Sequence, residues 1–407
     1  MLRSLFAGIS GMRSQQTMMD VTGNNIANVN TTGFKSSQTI FRDTLSQLLR
    51  ASGAPTATQG GSNPAQVGLG AQLAAITTNF GQGAAQTTGR ATDLMLQGDG
   101  FFMVRRGAEN LFTRAGGFTF DANGKMVSPD GSIVQGWAAT NGTVNTSLAP
   151  ADVTLPIGTL LPPKATGNSA IGGNLPSTAV SGDQLTSSVN VFDAQGAQHS
   201  VAFRYTKDPA VNSWTMDYAV DGGSFSGAVT TTFNASGQLT SPASPTVIPA
   251  AALPATWSGP APINVGITGL TQYGGQNTLT VLSQDGSTMG QLNGYTISPD
   301  GTVVGMFSNG LKETLAQIAV ANFNNPEGLE KAGGSTYRST TNSGQVQLGT
   351  AGQGSRGSIA SGTLEMSNVD LAQEFTNLII AQRGFQANAR VITTSDSLLQ
   401  ELVDLKR

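Results

Sequence analysis

The sequence predicts a multidomain α+β chain, in which a coiled-coil pair of terminal α-helices encloses two nested, mainly antiparallel β domains. Three observations carry that prediction. Apolar residues recur at alternating three and four spacing at both ends, which is the mark of a helix with a narrow seam. The interior repeats one kind of turn between short alternating runs. A long middle stretch, richer in Ser, Thr, Gly and Pro, interrupts this β pattern before the pattern returns.

The first element is a helix over roughly the first 30 residues. Leu2, Leu5, Ile9, Met12, Gln16, Met19 and Ile26 mark its seam, with Gly23 as a gap. It runs into "NNIANVNTTGFK", residues 24–35, which holds four Asn and closes on Gly-Phe-Lys. Asn and Gly are poor helix formers, so the helix is expected to end here. Asn tolerates left-handed backbone and bonds to neighbouring backbone groups, so the segment can turn tightly without charge. Gly33 permits a sharp bend, Phe34 can anchor it, and Lys35 is expected to reach a nearby carboxylate or carbonyl.

Residues 52–66, "SGAPTATQGGSNPAQ", read as a linker without periodicity. From about Val67 the signals are strand and turn. "LMLQGDGFFMV" reads as two strands about a Gly-Asp-Gly turn, and "GFTFDANGKMVSPDGSIVQGW" as a meander with two turns. "FDANG", "FDAQG" and "FNASG" share an Asp or Asn followed by a Gly at the position that needs positive φ. "SPDGS" and "SPDGT" match each other in the same way. The last helix has the strongest seam: Leu371, Phe375, Leu378, Gln382, Phe385, Ala389, Ile392, Asp396, Leu399 and Val403. At 1.5 Å per residue it should be roughly 50 Å long. Ser367 or Asn368 is expected as its N-cap, with Asp370 in the first turn.

The resulting organisation is nested. Segments 1–35 and 364–407 are the terminal helices, and 36–66 and 348–363 connect them inward. Segments 67–147 and 287–347 form a first β domain, and 148–286 an inserted second one.

Composition narrows the function. Charged residues are 11% of the 407, against about 25% in typical soluble domains, and the net charge is −3. No strong field steers the chain to nucleic acid, and no apolar run is long enough to predict a membrane span. With no Cys and one His, thiol chemistry and multi-histidine metal sites are excluded. The N-terminus lacks the apolar length and cleavage site of a signal peptide. "GQGSRG" at residues 352–357 fits a dinucleotide-binding spacing, but no helix start follows it, so a loop is expected. His199 has no nucleophile elbow beside it, and "DANGKMV" lacks the ligands of a calcium loop. No catalytic, cofactor-binding or metal residue emerges, and no cofactor is expected.

A helix pair inside one monomer would account for the apolar spacing. It accounts less well for Gln16, Gln382 and Asp396 on the seams. The flanks Ala7, Ser10, Gly11, Ala381, Gly384, Ala387 and Asn388 are small and uncharged, which permits close approach by further helices. The pattern favours a pair that completes its burial between subunits.

"SGMRSQQTMMDVTGNNIANVNTTGFK" closely resembles the N-terminal signature of the flagellar rod and hook axial proteins. "SGTLEMSNVDLAQEFTNLIIAQRGFQANARVITTSDSLLQELV" is similar to the matching C-terminal signature. "TTGRATDLMLQGDGFFMV" and "FTRAGGFTFDANGKMVSPDG" resemble the shared β domain of that family. The likeness covers roughly residues 1–137 and 287–407, and the long insertion points to a hook-type rather than a rod-type member.

The resemblance implies a structural, non-enzymatic subunit that stacks with copies of itself into a curved tube acting as a universal joint. It implies export through the flagellar type III apparatus without a cleaved signal. It further implies partners in the rod, the hook cap and the hook–filament junction proteins. The residues expected at the assembly contact are Leu2, Leu5, Phe6, Ile9, Met12, Met19, Ile26, Leu371, Phe375, Leu378, Ile379, Phe385, Ile392, Leu399 and Val403. Asn24, Asn25, Asn28, Gly33, Phe34 and Lys35 are expected at the joint between inner helix and β domain, close to a neighbouring copy.

Overall fold

The computed structural model describes residues 2–55, 60–140, 142–156, 158, 160–243 and 245–404. The chain divides into two compact units. The first holds Met1–Leu155, Thr296–Val304 and Thr314–Arg407; the second holds Pro156–Tyr295 and Gly305–Glu313.

In the first unit, helix α1 (Leu2–Ala27) and helix α2 (Leu371–Asp404) come from opposite ends of the chain and pack together. They run antiparallel, since Ser4 meets Ser395 near one end and Asn25 meets Glu374 near the other. The seam between them is built of small residues. A Cβ on Gly8 would sit 3.2 Å from the Ile392 side chain, and one on Gly11 would sit 2.7 Å from the Asn388 amide. One on Gly384 would meet Gln15 at 2.9 Å. Ala381, Ser14 and Ser395 are buried on the same faces. The residues read from the sequence as flanks for further helices therefore make much of the closest contact inside the pair.

Helix α2 starts later than its expected caps. Asp370, not Ser367 or Asn368, is the N-cap: its Oδ1 accepts from the backbone N–H of Ala372 at 2.9 Å and of Gln373 at 3.2 Å. Asn368 instead ties strands together. It accepts from Ser36 N at 2.8 Å and donates to the carbonyl of Asn79 at 2.8 Å.

After α1 the chain forms a two-stranded ribbon rather than a plain connector. Strand β1 (Ser37–Asp43) pairs antiparallel with β4 (Ala71–Thr78), and β2 (Ser46–Arg50) with β3 (Ala65–Gly68). Ser10 Oγ accepts from Ala71 N at 3.3 Å, which fastens the ribbon to α1.

The β core of this unit follows. Strand β5 (Ala85–Thr87) pairs with Thr363–Glu365 and β6 (Leu94–Gln97) with Ser358–Ser361, so the chain leading into α2 is stitched to the chain leading out of the ribbon. Strands β7 (Phe101–Arg106) and β8 (Glu109–Thr113) form a hairpin. The expected meander is present as Thr119–Phe120, Met126–Val127 and Ile133–Thr140. Phe101, Met103, Phe112, Ala321, Phe323 and Tyr337 pack as an aromatic core, with ring pairs edge-on at 4.8–5.9 Å.

The second unit has a five-stranded antiparallel sheet over residues 184–241 and a four-stranded sheet that contains one parallel pair, Asn168–Asn174 with Ile263–Thr271. Both sheets contribute to one core, including Phe203, Tyr205, Trp214, Ile171 and Val265. Its turns repeat those of the first unit. Asp121, Asp193 and Asn234 each use Oδ1 to accept from the backbone N–H groups two and four residues on.

Candidate assembly site

The helices position two different surfaces, one facing inward and one outward. Small residues turned to the seam leave the large apolar side chains of the same helices facing away. Phe6 is 67% exposed, Phe375 51%, Ile379 57% and Ile380 56%. Ile9 and Leu371 are also exposed. Leu5, Met12, Met19, Ile26, Leu378, Phe385, Ile392 and Leu399 are half-buried. The side chains of Leu2 and Val403 lie outside the described residues. The sequence stripe thus divides: Ile392 lies in the seam, while Phe6, Phe375 and Ile379 do not.

The ribbon adds to the uncovered surface. Leu45, Leu48, Leu49 and Val67 are exposed near its far end. Between the ribbon and α1 lies a groove of about 450 Å³, lined by Phe6, Ile9, Leu69, Ala71 and Leu73 among others. Every side of it is uncharged except at Arg13.

The joint is built differently, from hydrogen bonds and buried charge. Asn25 is buried, and its amide bridges Ser37 O at 2.8 Å and Glu374 Oε1 at 3.0 Å while accepting from Ser37 N. Asn24 and Asn28 pair along the last turn of α1, where Asn28 Nδ2 donates to Asn24 O at 2.9 Å. Gly33 has φ +67, and its N–H donates to Glu365 O at 2.8 Å. A Cβ there would lie 2.4 Å from Ala115 N, so both the turn and the close approach require glycine. Phe34 is half-buried beneath Lys331, whose Nζ lies 5.3 Å from the ring centroid.

Lys35 is completely buried. Its Nζ donates to Glu365 Oε1 at 2.7 Å and to Gly81 O at 2.8 Å. Burial pulls its pKa below the usual lysine range, against the opposing pull of Glu365. Arg114, also buried, lies 3.6 Å from Glu365 Oε2 and is likewise pulled down by burial. Glu365 and Arg114 lie inside the quoted signature stretches, but nothing in their local spacing marks them as partners of Lys35. The i, i+3 spacing of Gly8 and Gly11 was the available signal for the seam.

Among the described residues, no group of three or more His, Asp or Glu is placed to hold a metal ion. No helix among the described residues is long and apolar enough to cross a membrane. His199 pairs with Asp221 at 2.7 Å, and residues 352–355 form turns.

Four family models match the chain. Residues 5–35 match the flagella basal body rod protein, and residues 95–171 the flagellar hook protein FlgE/F/G D1 domain. Residues 174–287 match the flagellar basal body protein FlaE D2 domain, and residues 360–405 the flagellar basal body rod FlgEFG protein C-terminal model. The chain is 37% identical to the flagellar hook protein FlgE of Treponema pallidum and 38% identical to that of Borreliella burgdorferi, with all of each chain covered. It is 36% identical to the Escherichia coli hook protein FlgE over 98% of both chains. Among solved structures, the Helicobacter pylori flagellar hook protein FlgE2 matches with a TM-score of 0.54 at 14% identity, covering 69% of this chain and all of that one, a likeness of fold.

Proposed function

The chain belongs to the flagellar hook protein FlgE family, a structural rather than enzymatic family, and on that premise we propose that it polymerises with copies of itself into a curved tube that works as a universal joint between rod and filament. The observation that carries the reading is the exposure of Phe6 toward one end of the helix pair and of Phe375, Ile379 and Ile380 toward the other, on a pair whose own seam is already filled by small residues. Apolar area left in water on that scale is a marker of an interaction surface.

In this reading the terminal segments 1–35 and 364–407 line the inner tube. Segments 67–147 with 287–347, and the insertion 148–286, lie outside them. The assembly residues are those of the two helices, from Leu5 and Phe6 to Leu399. The residues from Asn24 to Lys35 sit at the joint, near a neighbouring copy. The subunit leaves the cell through the flagellar type III apparatus and adds beneath a cap at the growing end. It meets rod proteins at one end of the tube and junction proteins at the other.

The outer units present Ser, Thr, Gly and Asn. Contacts of that kind are individually weak and replaceable by water, so they can slide as the tube turns. Electron microscopy of the purified full-length protein under polymerising conditions tests the proposal. Curved tubes are expected; straight, stiff tubes would place it with the distal rod, and a persistently monomeric protein would overturn it.

A further inference from the structure

The buried charges at the joint do not balance. Lys35 and Arg114 bring two cations to a site that holds one carboxylate, Glu365, and the side chains are 0%, 3% and 0% exposed respectively. A buried charge without a partner is costly, so a surplus cation needs a reason.

The carboxylate is used unevenly. Oε1 accepts from Lys35 Nζ at 2.7 Å and from Gly83 N at 2.9 Å. Oε2 accepts no hydrogen bond and lies 3.6 Å from Arg114 Nη1. The guanidinium Nε and Nη1 also lack hydrogen-bond partners. The guanidinium rests over Phe101, its Cζ 5.3 Å from the ring centroid. Among the described residues, Asp99 also bears on it, from an exposed position.

The three residues belong to three segments. Lys35 follows α1, Arg114 follows β8, and Glu365 ends the strand leading to α2. A charge-assisted bond of about 2.8 Å would form between Arg114 and Glu365 after a shift of less than about 1 Å.

We propose that Lys35, Glu365 and Arg114 form a latch with a reserve cation: Glu365 holds the N-terminal segment through Lys35, and Arg114 takes over when that pairing is strained. Glu365 therefore stays paired in either of two ways, and the strand leading into α2 stays anchored. Removing one cation leaves a balanced buried pair; removing both leaves an isolated carboxylate. The benefit to a subunit strained at every turn of a bending tube rests on the polymer reading above. The latch itself is a property of the single chain.

The experiment is amide hydrogen exchange on the full-length monomer, kept below polymerising concentration so that assembly does not enter. The Gly33 and Gly83 amides, both bonded to Glu365, are the reporters. Tyr205 in the second unit is the control. Lys35→Met and Arg114→Met should each speed exchange at the reporters by less than about fivefold, and the double variant by more than about a hundredfold, with Tyr205 unchanged. Single effects that merely multiply to the double effect would overturn the proposal. So would a Lys35→Met effect as large as the double, failure of either single variant to fold, or a double variant as protected as the parent.

Discussion

The helix pair and the inserted β unit treat their large side chains in opposite ways. In the inserted unit, Phe203, Tyr205, Trp214 and Ile263 are at 0% exposure. On the helices, Phe6, Phe375, Ile379 and Ile380 are all more than half exposed. Both regions are rich in uncharged residues, so composition does not make the difference. Geometry does. Two sheets can face each other and close a core, whereas two helices joined through glycine and alanine bury little and leave their outer faces in water. The inserted unit is complete in one chain, and the helix pair has the surface of one part of a larger packing.

Removing residues 1–30 should separate the two regions most strongly. Tubes should be lost entirely under electron microscopy, while the melting transition of the inserted unit stays within a few degrees of the parent. Loss of both would show that the inserted unit depends on the helices. The converse is Trp214→Ala, which should destabilise the inserted unit by about 3–5 kcal/mol in urea titration, because it empties a closed core.

Outward residues should respond differently. Phe375→Ser with Ile379→Ser should change monomer stability by less than about 1 kcal/mol, since both side chains are already mostly in water. The same pair should raise the critical concentration for polymerisation at least tenfold, at about 1.5–3 kcal/mol per side chain buried on assembly. A monomer destabilised with no change in critical concentration would reverse the assignment of faces.

Acid sharpens the contrast between closed β folds and open helices. Burial alone would raise the Asp130 carboxyl, but hydrogen bonds from Ser128, Arg106 and Ser132 together outweigh it and hold the pKa at about 2, against 3.8 ordinarily. The depressed value means that its stabilising contribution is present above pH 3.8 and is lost as the pH falls toward 2. Asp130→Asn should therefore narrow the stability difference between pH 5 and pH 2 measured on the first unit. The smallest effect belongs to Asp370→Ala, which removes the N-cap of α2 at a cost of about 1 kcal/mol, visible as faster amide exchange at Ala372 and Gln373.

The legible parts of this molecule were the local ones. Asp121, Asp193 and Asn234 announce their turns because each side chain bonds its own backbone a few residues on, so the sequence alone contains the whole device. The helices were legible through their spacing. Which face turns inward was not, because Gly8 and Gly11 recur at the same intervals as Leu5, Ile9 and Met12. Spacing sets the period of a stripe, and side-chain volume then decides which stripe meets the partner. The ribbon was missed for a related reason: β2 has every residue exposed, so no alternation of burial marks it. Glu365 and Arg114 lie far from Lys35 in sequence and meet it only once the ends of the chain have come together.

The glycines of α1 bear on time as well as space. Gly8, Gly11 and Gly23 lie inside the helix, each costing about 1 kcal/mol of helix propensity relative to alanine. A 26-residue helix so weakened gains its order from its partner. That partner is α2, and Ser4 and Ser395, which touch across the seam, are 391 positions apart. Contacts of such high order form late, after the loop between them has been gathered in. The N-terminal helix therefore waits as coil for the C-terminal one, and the five-stranded sheet of the second unit, built of nearest-neighbour hairpins, is set to fold before the helix pair.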